Sequence, residues 1–134
     1  MHTAESTDQI AIRQLLERWA AAVHAQDIDA VLLDHADDIL MFDVPGPIST
    51  VGIDAYKNSW PQMFASFRGA FIFDLSDVAV AAGTDVAFAS ALIRCEGIGR
   101  SEEPVMLDVR FTAGLRKIRD RWIVTHEHHS VPNP

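Results

Sequence analysis

The sequence predicts an α+β fold in which a curved antiparallel sheet wraps around three N-terminal helices. Three observations carry that expectation. Apolar residues recur at three- and four-residue spacing from Ile12 to about Phe67, the period of helices lying on a core. From Phe71 onward, β-branched and small apolar residues alternate with polar ones, the period of strands. The chain is 134 residues long and 49% hydrophobic, enough to bury one core and too short for two, so residues 1–134 are expected to form a single domain.

Ser6 or Thr7 can cap a first helix whose apolar face is Ile12, Leu15, Leu16, Trp19 and Val23. Gln26 and Asp27 interrupt it, and Asp27 can cap a shorter second helix carrying Ile28, Val31 and Leu32. A short strand, Ile39 to Phe42, follows, closed by Asp43 and the turn Val44-Pro45-Gly46-Pro47. A third helix is expected from Gly52 to about Phe67, bent or restarted at Pro61. Turn residues at 83–85, 97–104 and 119–120 divide the remainder into four long strands. One face of the strand from Val86 reads Ala87, Ala89, Ala91 and Ile93, and its other face Val86, Phe88, Ser90, Leu92 and Arg94. In the next strand Val105, Leu107, Val109, Phe111, Ala113 and Leu115 share one face. An alanine stripe on an inner face either leaves volume for a pocket or lets a helix approach closely.

A formal net charge of -8 argues against nucleic acid and anionic membrane surfaces, which select basic patches. Small-molecule or protein partners remain. A small apolar molecule would suit a pocket under the alanine stripe, and the outer sheet face, which mixes Phe88 and Leu92 with Asp108, Arg110, His126 and His128, is where a second copy of the chain is expected to pair. Cys95 is the single cysteine, so no internal disulfide can form. Met1-His2-Thr3-Ala4-Glu5 lacks the basic stretch and apolar run of a secretory signal, and a cytoplasmic location is the expectation.

Asp43 is the first candidate for chemistry. Alternation puts it on the face of Ile39 and Met41, so a buried face would aim a carboxylate into apolar space, where it could serve as a general base. The same residue could instead cap the turn that follows through its own backbone. In the last strand, Thr125, Glu127 and His129 share one face and His126 and His128 the other. His126 and His128 could chelate zinc, but no third ligand is placed to join them, and neither a metal nor a cofactor is expected.

Arg18 through Val31 and His35 through Asp43 resemble the opening of the ketosteroid isomerases. The ending, Trp122 to Pro132, is similar to that of many members of the wider SnoaL-like polyketide cyclase group. That resemblance implies the cystatin-like cone of nuclear transport factor 2, a dimer with a deep apolar pocket between sheet and helices. It places the isomerase's general base on Asp43 and turns Glu127 and His129 toward the same pocket as possible acid and base partners. The isomerase's oxyanion-donating tyrosine falls on Trp19, two supporting tyrosines on His35 and Trp60, and its protonated aspartic acid at or beside Ala113. Losing one such donor alone costs about 3 to 4 kcal/mol, so authentic steroid isomerisation is not expected. Asp108 and Arg110 offer only a poor match to an epoxide-hydrolase site, because they lie on the face opposite the apolar one. The expected pocket wall is Trp19, His35, Met41, Trp60 and Phe64 with Ala91, Ile93, Phe111 and Ala113 of the sheet. Two functions stay open: an isomerase, cyclase or dehydratase acting on a carbonyl compound with Asp43 as base, and a non-catalytic ligand-binding or dimerisation module.

Overall fold

Ser6 begins the first helix by closing a capping box. Its hydroxyl accepts the Gln9 amide at 3.1 Å, while the Gln9 side-chain oxygen accepts the Ser6 amide at 2.8 Å. In this computed structural model, residues 4–133 are described, so Met1, His2 and Thr3, part of the N-terminal signal reading, lie outside the described residues. Helix α1, Thr7–His24, buries Ile12, Leu15, Leu16, Trp19 and Val23, the face the spacing predicts. Asp27 caps the short α2, Ile28–Leu32, by accepting the Ala30 amide. Helix α3, Ile53–Ala65, starts at Gly52, whose φ of 92° lies in the region that favours glycine. Helix α3 does not restart at Pro61 but runs through it. Tyr56 and Trp60, one turn apart and both buried, anchor a single face of the helix ahead of the proline.

The sheet has six strands: β1 His35–Phe42, β2 Thr50–Val51, β3 Ile72–Ala82, β4 Val86–Ile98, β5 Pro104–Ile118 and β6 Arg121–Ser130, in the order β2-β1-β6-β5-β4-β3. Two features differ from the sequence expectation. Strand β1 starts at His35 rather than Ile39, and it runs parallel to β6, so the sheet is mixed instead of wholly antiparallel. A hairpin forces antiparallel pairing, but β1 and β6 are separated by α3 and four strands, which leaves the parallel arrangement open.

Strand β6 changes phase midway. Trp122 and Val124 face the core, and so do Glu127 and His129, which strict alternation forbids. The register against β5 shifts between the Gly114–His126 and Leu115–Val124 pairs, placing one extra residue in β6 at Thr125. This bulge lets the strand contribute apolar side chains at its start and polar ones at its end to the same interior.

A layer of aromatic rings fills the cone above the sheet. Trp19 stacks on Phe111 with ring centroids 4.8 Å apart and meets Phe73 edge-on at 5.6 Å. Ala89 and Ala113 belong to the same buried cluster, so the small residues of the inner face make room for this layer.

Candidate functional site

Glu127 is 1% exposed, and every polar contact it makes is accounted for by neighbouring side chains. On one oxygen, Oε2, it meets Nε2 of His35 at 2.9 Å and accepts the Tyr56 hydroxyl at 2.8 Å. On the other, Oε1, it meets Nε2 of His129 at 2.9 Å. The Tyr56 oxygen in turn accepts the Trp19 indole N–H at 3.0 Å. Four elements thus converge on one carboxylate: α1 through Trp19, β1 through His35, α3 through Tyr56 and β6 itself.

Burial alone would favour a neutral Glu127. Hydrogen bonds from His129 and His35, with the charges those rings carry, outweigh it and hold the carboxyl well below its usual range. Burial would likewise lower both histidines, yet the bond to Glu127 and its charge leave His35 and His129 above the ordinary imidazole value, with the charge of Asp43 adding to the rise at His129. Burial, then the Glu127 charge, pushes the Tyr56 phenol well up, so it acts only as a neutral donor and acceptor.

His129 links this cluster to open space. Its ring lines a cavity of about 520 Å³ together with Asp43, Trp60, Phe67, Phe73, Ile93 and Cys95. Exposed residues Val44 to Pro47 form one side of the cavity, and Ser66 and Glu103 also line it. Nε2 of His129 is committed to Glu127, while Nδ1 has no hydrogen-bond partner among the described residues. Phe111 packs edge-on to the ring at 5.2 Å and fixes its plane. Asp43 is half-buried on the same cavity, and its Oδ1 accepts the Val44 amide at 2.8 Å, the turn-capping contact. The two readings of Asp43 are therefore compatible: one oxygen caps the turn while the side chain borders the cavity. Trp60 lines the cavity as well, and its Nε1 is buried without a partner among the described residues.

Of the residues expected to act on a ligand, Asp43 and His129 border the cavity, whereas Glu127 is sealed behind His129 and does not. Of the expected wall, Trp60 and Ile93 line it. Trp19, Met41, Ala91, Phe111 and Ala113 are buried away from it because the aromatic layer occupies the inner cone, and Phe64 stacks on Trp60 at 6.0 Å from behind. His35 serves Glu127 rather than the cavity, with its side chain 1% exposed. Tyr56 is the participant that sequence reasoning missed. It is the sole tyrosine in the chain and lies one helical turn before Trp60, which marks it as sharing that buried face.

A mixed sheet curled around three helices, with a polar cluster bordering a cavity, defines a cystatin-like cone fold. Residues 12–134 match the SnoaL-like domain family, and the chain belongs to it. It is similar to a nuclear transport factor 2-like protein of unknown function from Pseudomonas putida, at 33% identity over 98% of this chain and 92% of that one, with a TM-score of 0.86. A ketosteroid isomerase-like protein from Erwinia carotovora atroseptica shares 17% identity over 97% of this chain and 100% of its own, with a TM-score of 0.81. A proposed dehydratase from Streptomyces avermitilis shares 18% identity over 96% and 99%, also at 0.81. Those last two likenesses establish the fold alone. No curated protein matches the sequence. No helix among the described residues is long and apolar enough to cross a membrane.

Proposed function

We propose that the protein is a cofactor-independent enzyme that moves protons on a small apolar carbonyl compound, with Asp43 as general base and His129 as general acid. The observation that carries this reading is the clamp on His129: Glu127 holds Nε2, Phe111 fixes the ring, and Nδ1 is left for a ligand in the cavity that Asp43 borders. The raised proton affinity of His129 suits a donor, and the carboxylate of Asp43 suits an acceptor. Asp43 takes a proton from the carbon beside the carbonyl as Nδ1–H of His129 gives one to the carbonyl oxygen, forming an enol. Return of the proton from Asp43 to another carbon, as the enol O–H gives its proton back to Nδ1 of His129, completes an isomerisation. In a dehydration the enol O–H likewise returns its proton to His129 while a β-hydroxyl leaves as water with the proton that Asp43 took. Glu127 acts on the ligand only through His129.

One observation favours the second reading, a ligand-binding module without chemistry. Trp19, on which the resemblance puts the isomerases' oxyanion donor, spends its N–H on Tyr56. A panel of cyclic ketones in deuterated water separates the two. The catalytic reading expects α-proton exchange that falls by about 10² to 10⁴ in Asp43→Asn and in His129→Gln. Ketones that bind the cavity yet never exchange would leave the binding module standing.

A further inference from the structure

His35 is a buried titratable group that the proposed proton transfer does not use, and its two ring nitrogens both face acceptors. Nδ1 lies 2.8 Å from the carbonyl oxygen of Leu33, which can only accept, so Nδ1 carries a hydrogen. Nε2 lies 2.9 Å from Oε2 of Glu127. Were Nε2 bare, two lone pairs would face each other across that distance unless the Tyr56 hydroxyl turned to Nε2. That hydroxyl is 3.3 Å from Nε2 but 2.8 Å from Glu127, and it has a single hydrogen to give. With the carboxyl ionised, the arrangement closes only if Nε2 is protonated too, which makes His35 an imidazolium.

We propose that His35 is a positioning residue, held as a cation at neutral pH, whose charge partly neutralises Glu127 and so sets the pH at which His129 releases its cavity-facing proton. Glu127 is shared: His35 takes one oxygen and His129 the other. Without the His35 charge, the full negative charge of Glu127 would fall on His129 and make its proton harder to remove. The other groups around the pair do not reverse that sign. Asp43 is the further anion acting on His129, while Trp19 of α1 and Phe111 of β5, which pack on its ring, carry no charge. Cys95 of β4 and Glu103 line the same cavity, and Tyr56 of α3 reaches Glu127 as a neutral phenol. Asp34 lies near His35 and is paired with Arg18 and Arg121.

The test is an NMR titration of the histidine ring nitrogens in the full chain, wild type and His35→Gln. Glutamine can still donate to Glu127 but brings no charge. In the wild type, both nitrogens of His35 should be protonated at pH 7, and a neutral His35 ring at pH 7 overturns the proposal even if the variant fails to fold. In His35→Gln the His129 midpoint should move up by about one pH unit. An unchanged or lowered midpoint also overturns it, because a purely structural loosening admits water, weakens the Glu127 bond and lowers the midpoint. The kinetic arm rests on the proton-transfer reading: the alkaline limit of ketone exchange should move up with the midpoint. Absence of exchange in the wild type would sink that reading alone, since the ring titration needs no turnover.

Discussion

Glu127 and His129 sit two residues apart on one strand face, with Oε1 and Nε2 2.9 Å apart, so a buried carboxylate fixes the orientation of the imidazole that borders the cavity. The bulge at Thr125 makes this possible while Trp122 and Val124 still pack into the core. A local irregularity of the sheet thereby builds the site.

Removing the Glu127 charge should be costly. Glu127→Gln leaves His35 charged in the interior without a counter-ion, and breaking a buried pair from one side costs about 3 to 5 kcal/mol. Urea unfolding at pH 7 measures it, and a loss below about 1 kcal/mol would mean that the cluster is not ionised.

Stability should depend on pH with a maximum on the acid side of neutrality. Glu127 is lowered by folding, so its contribution is present above the unfolded value of 4.5 and is lost as pH falls toward the folded one. His35 and His129 are raised, so theirs is complete below 6.5 and is lost as pH rises through their folded values. Thermal melting points recorded from pH 4 to 9 should therefore peak between 4.5 and 6.5. A plateau extending to pH 9 would contradict the direction assigned to the histidines.

Tyr56→Phe should keep the ring packed and lose two bonds together. It strips one donor from Glu127 and leaves the Trp19 indole N–H buried without an acceptor, a cost of about 1 to 3 kcal/mol. Equilibrium unfolding of this variant beside Trp19→Phe and the double mutant gives the coupling. Additive losses would show that the relay from Trp19 to Glu127 carries no shared energy.

The outer sheet face should pair two copies of the chain. Phe88 is 58% exposed and Leu92 41%, and they lie among Arg94, Asp108, Arg110 and His128 in the apolar and charged mixture that interfaces show. Sedimentation at micromolar concentration should give a dimer, and Phe88→Glu with Leu92→Glu should give a monomer. A monomeric wild type would refute the interface.

The helices, the four long strands and the inner faces of β4 and β5 were legible because period and turn residues agree along those segments. Partnering across the sheet was not. The pairing of β1 with β6 depends on contacts about ninety residues apart, and no local pattern records whether such a pair is parallel. In the site, Asp43 and His129 stood out as polar residues on apolar faces, and the structure puts both on the cavity. The roles of His35 and Tyr56 were hidden because each is defined by a bond to Glu127, 92 and 71 residues away. The cavity also lies further toward the mouth than the alanine stripe suggested, because Trp19 and Phe111 occupy the space that the alanines leave.

The pH profile of α-proton exchange tests the central claim most directly. With His129 as the acid, the rate on a bound cyclic ketone should fall as pH rises through a value above 6.5, where Nδ1 loses its proton, and His129→Gln should abolish that fall along with most of the rate. A rate that keeps climbing to pH 9, or an alkaline fall that survives in His129→Gln, would contradict the assignment of Asp43 as base and His129 as acid.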